Sequence, residues 1–263
     1  MLAPMRVPDD YLEGKARILD LGGWFKPEPR ATHVVDYLPW ETRGTKLNLQ
    51  PLPGERFSKA TWFQADFIDP NLRLPFPDKF FDVVLCGHTV EDLTAPQHLL
   101  REMQRVGIAG VIEVPSRLIE QTLGSRDRRS RLPGHPHHHW IADVSDGELV
   151  LSAKPDSGLA SSAQVVPLSY FEAVRRTRPG ADVTIHAWSG QLRFRFAPRQ
   201  ESADRARQFV RGLGISRLER LTDGGRRWAR RLRARWRGQA REDFSWWPRI
   251  LEESRPYSAI PLR

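Results

Sequence analysis

The sequence has one cysteine, few lysines and no long apolar run. Because Cys86 is the only cysteine in 263 residues, an intrachain disulfide and a cysteine-ligated zinc site are excluded. No stretch approaches the roughly 20 uncharged apolar residues that a membrane-spanning helix needs. Asp9 and Asp10 precede any apolar run, which argues against a signal peptide. We therefore expect a reducing, cytoplasmic setting.

The positive charge of the chain is concentrated in one segment. Residues 201–241 hold thirteen arginines against four acids, so this segment accounts for the whole formal charge of +9. Lysine supplies only six of the 41 basic residues. The apolar content of 40% is sufficient for a folded core. The basicity is therefore a property of the segment and not of the fold.

Short apolar runs in the first half of the chain predict a parallel sheet. Strands are predicted at residues 17–21, 32–38, 61–67, 80–86 and 107–114, with a helix at 95–106 before the last of them. Strand, crossover and strand repeated in this way are typical of a sheet with helices on both faces. We therefore predict an α/β fold with a doubly wound, mostly parallel, Rossmann-like sheet.

The second half of the chain predicts smaller elements added to this sheet. The run WIADV-SDG-ELVLSAK indicates a β-hairpin turning at Asp146–Gly147. A second hairpin is predicted from residues 183–187 and 191–196, and a short helix from 168–176, while 121–136 has the composition of an irregular loop. We predict a domain over 1–200, an arginine-rich helical segment over 201–241 and a tail rich in tryptophan and proline over 242–263.

Acidic and polar residues end most of the predicted strands. In an open parallel sheet, ligands bind outside the carboxyl ends of the strands, where the strand order reverses. An acid at the end of the second strand can accept both hydroxyls of a ribose. Any one of these acids taken alone is as well explained by a loop cap or a salt bridge. The residues concerned are Asp20, Asp36, Asp66, Glu113 and the group Cys86, Gly87 and His88.

The loop after the first strand has two glycines and two prolines. A dinucleotide site requires three glycines and a helix whose N-terminus holds the pyrophosphate. Here Pro27 and Pro29 bias the residues before them away from helical geometry, and the crossover is near the shortest length that can contain a helix. The loop therefore favours a nucleoside cofactor without phosphates, such as S-adenosylmethionine.

Four stretches resemble class I S-adenosylmethionine-dependent methyltransferases: ILDLGG, HVVDY, ADF and FDVVLCGHTVEDLTAPQHLLREMQRVGIAGVIEVPSR. The resemblance covers roughly residues 15–117 and implies S-adenosylmethionine as cofactor. By this resemblance, Asp20, Gly22 and Gly23 line its methionine end. The remaining cofactor residues are then Asp36 at the ribose, Asp66 with Phe67 at the adenine, and Cys86 to His88 on the reacting side, and Tyr37 is a further cofactor-binding residue.

A cluster of histidines, GHPHHHW, lies after the predicted sheet. Methyl transfer to a hydroxyl benefits from a general base, and histidine has a suitable pKa. A His-His-x-Trp element resembles a feature of some uncharacterised bacterial methyltransferase-like proteins, so His137 and His138 are candidate bases, with Trp140 packing beneath them. His88 is a further candidate that could face the substrate. A metal site completed by Asp143, or a solvated loop, are the alternatives.

The arginine-rich segment predicts a basic amphipathic helix. Leu221, Trp228, Leu232 and Trp236 fall at helical spacing, with an interruption or cap expected at Gly224–Gly225. This apolar stripe could dock on the domain, as in any surface helix, or residues 213–238 could lie on an anionic membrane. Nucleic-acid binding is a third interpretation, not favoured because the rest of the chain is neutral.

These observations favour a methyltransferase that uses S-adenosylmethionine and a histidine base. The predicted acceptor is an oxygen of a small molecule, a sugar or a lipid-linked glycan. Two other hypotheses are also compatible with the sequence. One is a non-catalytic scaffold or cofactor sensor, motivated by the thinned glycine loop. The other is a nucleic-acid methyltransferase recruited by the arginine-rich segment.

Overall fold

The structure is a computed structural model that describes residues 5, 7, 9–43, 53–125, 133–159 and 162–236. The chain divides into two compact units. The first unit comprises the described residues of Met1–Val114 together with Ile185–Arg193, and the second comprises Pro115–Thr184 together with residues 194–236. The predicted tail over 242–263 lies outside the described residues, and the predicted division at residues 200 and 241 stays a prediction.

The described residues contain six α-helices and nine strands. The helices are α1 (Asp9–Leu12), α2 (Gln97–Val106), α3 (Arg117–Glu120), α4 (Leu168–Thr177), α5 (Arg199–Gly212) and α6 (Arg217–Trp236). The strands are β1 (Ile18–Leu21), β2 (His33–Asp36), β3 (Trp62–Gln64), β4 (Phe81–Gly87), β5 (Gly107–Pro115), β6 (Trp140–Ser145), β7 (Glu148–Ala153), β8 (Val183–Ser189) and β9 (Phe194–Ala197). The predicted strands of the first half and the helices at 95–106 and 168–176 are confirmed to within a few residues.

Six strands form one sheet in the order β3-β2-β1-β4-β5-β8. The four pairings among β1 to β5 are all parallel. The chain runs outward from β1 to β3 and then returns to β4 on the other side of β1. The strand order therefore reverses between β1 and β4, which confirms the predicted doubly wound, mostly parallel sheet and places its ligand edge there.

The centre of this sheet is buried on both faces. All four residues of β1 are buried, and Val83, Val84 and Leu85 of β4 have no exposed surface. Central strands of a parallel sheet are covered on both sides, which is why their sequences are continuous apolar runs and not alternating ones. The polar residues of these strands are consequently found at the strand ends.

The second unit contains a three-stranded sheet in the order β6-β7-β9. The antiparallel pair β6 and β7 is the first predicted hairpin, and it turns at Asp146 and Gly147, whose φ angles are 52° and 70°. Two consecutive positive φ angles are the signature of the tight type I′ turn. The first hairpin is therefore confirmed.

The second predicted hairpin is wrong. The turn at Gly190 exists, with a φ of 73°, but β8 lies in the six-stranded sheet and β9 pairs in parallel with β7. After the turn, the backbone N–H of Leu192 donates to the side chain of Gln104 on α2 and does not pair back onto β8. The local turn signal was correct, but a contact distant in sequence decided the partner.

The interruption expected in the arginine-rich helix is also wrong. Helix α6 runs unbroken through Gly224 and Gly225. It is held on the turns before them, where Arg220 donates to the carbonyl of Val165 and Asp223 accepts from the backbone N–H of Ser169. These contacts offset the roughly 1 kcal/mol that a glycine costs in a helix. The predicted end near residue 238 lies outside the described residues.

Across the described ranges, no helix combines the length and the apolar character that crossing a bilayer requires.

Candidate functional site

The carboxyl ends of the central strands bring the predicted cofactor residues to one edge of the first unit. Leu21 at the end of β1 pairs with Val35 on one side and with Cys86 on the other. Gly87 pairs in turn with Glu113. Since Asp20, Asp36 and His88 adjoin these positions, the register places all of them at the edge where the strand order reverses.

Asp20 is a buried carboxyl group in an acidic environment. Its side chain is 5% exposed and accepts a hydrogen bond of 2.8 Å from the backbone N–H of Glu28. Burial raises the pKa of Asp20 to about 7, the hydrogen bond from Glu28 opposes the rise, and the charges of Glu28 and Asp36 add to it. Asp20 is therefore only partly ionised at neutral pH, and a bound cation would favour its ionised form.

Asp36 ties the glycine loop to the end of β2. One carboxylate oxygen accepts from the backbone N–H of Leu38 at 2.8 Å and the other from that of Trp24 at 3.0 Å. Burial raises the pKa of Asp36 to about 6, and the backbone hydrogen bonds from Leu38 and Trp24 oppose the rise. Asp36 thus fixes the entrance of the loop, in addition to any contact with a ribose.

The backbone requires glycine at position 22 of the predicted loop, and position 23 is tightly packed against a side chain. Gly22 has a φ of 79°, and a Cβ there would overlap with the side chain of Thr89. A Cβ on Gly23 would lie 2.8 Å from a carboxylate oxygen of Asp20. Within the described stretch between β1 and β2 no helix is formed, as the prolines predicted. The N-terminal helix dipole that holds a pyrophosphate is therefore missing from this loop.

His88 lies between two buried acids. Its Nδ1 is 3.5 Å from Glu91 and its Nε2 is 3.2 Å from Glu113, and both acids are almost fully buried. Burial alone would lower the pKa of His88, but the interactions with Glu113 and Glu91 outweigh it and raise the pKa to about 10. A protonated imidazole has no lone pair with which to accept a proton. This state suits a structural cation; the predicted catalytic role stays a prediction.

Replacing His88 tests this ion pair. His88 has a φ of 51°, so His88→Asn is the mildest change, because asparagine tolerates this conformation. We expect a loss of about 3 kcal/mol in the free energy of unfolding, since two buried acids lose their cation while His88 itself is partly exposed. The raised pKa means that the histidine stabilises fully below pH 6.5 and loses its effect as the pH rises towards 10.

Urea unfolding near neutral pH and near pH 9 measures both the loss and its pH dependence, with the wild-type advantage expected to shrink at the higher pH. His98→Asn on α2 is the matched control, because the ring of His98 contacts the neutral side chain of Gln97. A loss of equal size in the two variants, or one independent of pH, would contradict the ion-pair role.

The other predicted cofactor residues have varied surroundings in the first unit. Tyr37 is half-buried, and its carbonyl accepts from Gln64. Asp66 is exposed and accepts from the backbone of Ile68, whereas Phe67 is buried. Cys86 has no exposed surface, and burial raises the pKa of its thiol well above the usual value. None of these observations tests a contact with a cofactor, so the four assignments stay predictions.

The histidine cluster is built around Glu120 in the second unit. Glu120 at the end of α3 has no exposed surface. One carboxylate oxygen lies 2.8 Å from Nδ1 of His138 and 3.1 Å from Nδ1 of His135. The other accepts from the ammonium group of Lys154 at 2.6 Å. Burial opposes the ionisation of Glu120, but these partners outweigh burial and hold its pKa well below the usual range.

The three neighbouring rings differ in exposure and charge. His138 is buried and stacks on His135, with 4.4 Å between ring centroids, while His137 reaches solvent. Partial desolvation of the His137 ring lowers its pKa to about 4, and the neighbouring rings of His138 and His135 add to the shift. His137 is therefore neutral at physiological pH and a weak base, whereas His138 is oriented by a carboxylate.

Gly134 allows the chain to pass close to Glu120. Its φ is 59°, and a Cβ there would lie 2.7 Å from backbone atoms of Glu120. Glu120, His135 and His138 also offer three ligand atoms that lie within 4.8 Å of one another. The ammonium group of Lys154 on the same carboxylate would repel a metal ion at this position. The cluster is better described as a carboxylate–imidazole group than as a metal centre.

Three residues of these sites were missed by the sequence interpretation as site residues: Glu91, Glu120 and Lys154. Glu120 follows Leu118 and Ile119 in the short helix after the fifth strand, and a buried acid in such a context needs a cation. That signal could have identified Glu120, but not its partners, because Lys154 lies 34 positions away.

The edge of the first unit fits S-adenosylmethionine better than a phosphate cofactor. Asp20 and Asp36 are buried acids with raised pKa values. Such a group favours a cation. S-adenosylmethionine carries a sulfonium and an ammonium group and has no phosphate. The residues present at this edge therefore fit it.

Comparison with known proteins identifies a methyltransferase domain in the first unit. The methyltransferase domain family matches residues 43–112, a range that contains β3, β4 and α2 and reaches into β5. The resemblance to class I methyltransferases is thereby confirmed over this range. No curated protein matches the chain.

Solved structures with distant likeness are also found. A SAM-dependent methyltransferase from Aquifex aeolicus is 16% identical, covers 38% of this chain and 57% of its own, and has a TM-score of 0.27. A methyltransferase dependent on S-adenosylmethionine from Mesorhizobium loti is 14% identical, covers 76% of both chains and has a TM-score of 0.33. The chain spans about half the length of the first two matched structures, 50% and 57%. Likenesses this distant carry no argument about activity.

Proposed function

We propose, from the premise that this chain contains a class I S-adenosylmethionine-dependent methyltransferase domain, that it methylates an oxygen of a small molecule, a sugar or a lipid-linked glycan. The observation that carries the cofactor assignment is the pair of buried acids, Asp20 and Asp36, beside a glycine loop without a helix. A cytoplasmic location belongs to the same proposal.

The acids of the first unit account for cofactor binding. Bound S-adenosylmethionine supplies an electrophilic methyl group on a positive sulfur. Asp20 and Asp36 balance positive charge in a buried setting, where an electrostatic interaction is stronger than in water. Asp36 also holds the loop through Trp24, so its carboxylate contributes to the shape of the site as well as to its charge.

We assign to His138 the role of the general base, which accepts the proton of the acceptor hydroxyl. Its Nδ1 interacts with Glu120 at 2.8 Å, which selects the tautomer whose lone pair is on Nε2. A carboxylate behind an imidazole also stabilises the imidazolium that forms when the base takes a proton. His137 is the weaker candidate because its pKa is lowered to about 4. The choice of His138 as the base rests on contacts within the second unit.

Titration with S-adenosylhomocysteine tests the cofactor assignment. Asp36→Asn is expected to weaken binding by at least about tenfold, because a hydrogen bond to a charged group contributes roughly 1.5–3 kcal/mol. Asp82→Asn is the matched control. Asp82 also accepts two backbone N–H groups, from Ala16 and Arg17, but it adjoins the amino end of β1. Isothermal calorimetry on the three proteins measures the difference.

The outcomes separate the hypotheses. Absence of binding by the wild type, or equal affinities in the Asp36→Asn and Asp82→Asn proteins, would sink the cofactor assignment. Binding without any methylated product across hydroxylated acceptors would favour the non-catalytic sensor. Methylation of RNA or DNA that disappears when arginines of the 201–241 segment are replaced would favour the nucleic-acid hypothesis.

A further inference from the structure

Helix α6 presents apolar side chains to solvent. Leu218 is 70% exposed, Leu221 is 74% exposed and Trp228 is 61% exposed. At 3.6 residues per turn these three positions fall within an arc of roughly 80° around the helix axis. The simplest interpretation of the sequence, a stripe docked on the domain, is therefore wrong for these three residues.

The opposite side of α6 attaches the helix to the second unit. Asp223 is 3% exposed and accepts a hydrogen bond of 3.1 Å from the backbone N–H of Ser169 at the start of α4. Arg220 donates to the carbonyl of Val165 at 2.9 Å. A polar inner side and an apolar outer side reverse the usual arrangement of a surface helix. The orientation is fixed by these contacts and leaves the apolar side outward.

Exposed arginines flank the apolar side. By helical spacing, Arg217 lies on one flank and Arg226 and Arg233 lie on the other, and all three are exposed. Two copies of this surface packed together would bring these arginines near one another, which like-charge repulsion opposes. An anionic surface would neutralise them while it takes up the leucine and tryptophan side chains.

We propose that the outer face of α6, formed by Leu218, Leu221 and Trp228 with Arg217, Arg226 and Arg233, binds the surface of an anionic lipid bilayer. An interfacial helix inserts its apolar side at the level of the headgroups and places its basic residues on the lipid phosphates. Nucleic acid would use the arginines but would leave the two leucines without a function. This surface acts independently of methyl transfer.

Vesicle flotation of the full chain tests the proposal. The wild type is expected to float with phosphatidylcholine vesicles that contain about one third phosphatidylserine, and to bind at least about tenfold more weakly to phosphatidylcholine alone. Leu221→Gln with Trp228→Gln should abolish flotation. Both side chains are largely exposed, so folding should change little.

A charge-matched pair of variants separates the helix face from net charge. Arg217→Gln, Arg226→Gln and Arg233→Gln together should weaken binding to anionic vesicles by at least about tenfold. The same three-charge reduction at Arg175, Arg176 and Arg178, which are exposed at the end of α4 and just beyond it, should leave binding within about twofold. Equal loss in the two triple variants would overturn the assignment to α6.

Two further results would also overturn the proposal. The first is binding of an RNA oligonucleotide, but not of vesicles, with the same dependence on the α6 arginines. The second is evidence that the outer face of α6 is already buried against other residues of the chain or against a second copy. Because Cys86 is fully buried, Leu221→Cys introduces a selectively reactive thiol. A spin label there that is immobile without vesicles and unchanged by them would identify such a cover; a label that is mobile in solution and shielded on anionic vesicles supports the lipid surface.

Discussion

Glu120→Ala is expected to lower the free energy of unfolding by about 3–5 kcal/mol, because it leaves buried cationic groups without their carboxylate. Lys154 donates to one oxygen of Glu120, and the Nδ1 atoms of His135 and His138 meet the other. The side chain has no exposed surface, so water does not replace it. Urea unfolding followed by two probes measures the effect, with two probes needed because the chain has two units.

A paired replacement distinguishes charge from shape at this position. Glu120→Leu combined with Lys154→Met removes both charges and is expected to cost less than Glu120→Ala alone. The lowered pKa of Glu120 means that its contribution is present above the unfolded value of 4.5 and is lost as the pH falls below it. A single and a double variant of equal stability, or a wild type without this acid dependence, would contradict the ionic account.

The same carboxylate gives a kinetic signature if His138 is the base. Glu120→Gln keeps the shape of the side chain, and we expect kcat to fall at least about 100-fold with an unchanged KM for S-adenosylmethionine. The pH–rate profile should also move to lower pH, since the imidazolium loses the carboxylate that stabilises it. Glu120 would then be a positioning residue. A fall in kcat without this shift would leave only the structural role.

Local pattern was sufficient to predict strands β1 to β5 of the first unit, but not the placement of β8 beside β5. Its strands contain apolar runs such as Val83, Val84 and Leu85 of β4, which follow from burial on both faces. The polar residues that end them, Asp20 and Asp36 among them, lie at one edge because parallel strands share an orientation. Glycine and proline predicted the loop between β1 and β2 for the same local reason.

The second unit depends more on contacts that local pattern does not contain. The pairing of β7 with β9 joins Leu149 to Phe194, and no periodicity in either segment indicates it. Helix α5 was not predicted as a separate helix, because its charged sequence has only a narrow buried side at Ser202, Ala206 and Val210. In α6, the positions at helical spacing were correct, but the side facing the protein was decided by one buried acid, Asp223.

Asp20→Asn is expected to weaken binding of S-adenosylmethionine by at least about tenfold and to stabilise the protein above neutral pH. Because the pKa of Asp20 is raised to about 7 in the folded state, the unfolded chain ionises it more easily. The wild type therefore loses stability as the pH rises from 3.8 towards 7. A pKa difference of this size corresponds to about 4 kcal/mol, from which the cost of burying the new amide must be subtracted.

The pH dependence is the decisive part of this prediction, since packing and hydrogen bonding of the amide do not change with pH. The difference in unfolding free energy between Asp20→Asn and wild type should move in favour of the variant by roughly 2 kcal/mol or more between about pH 5 and about pH 8. Thermal or urea unfolding at the two values measures it. A difference that is the same at both would show that Asp20 has an ordinary pKa.

The affinity for the cofactor should also depend on pH, but it should rise over the pH range in which the stability of the free protein falls. A bound cation favours the ionised forms of Asp20 and Asp36, so the wild-type affinity for S-adenosylmethionine should rise between about pH 5.5 and about pH 8. S-adenosylhomocysteine lacks the sulfonium charge and should show a smaller rise. Asp20→Asn should lose most of the difference between the two ligands. If the wild type binds both ligands with the same pH dependence, the sulfonium does not bind close to Asp20 and Asp36. This conclusion holds for any absolute affinity.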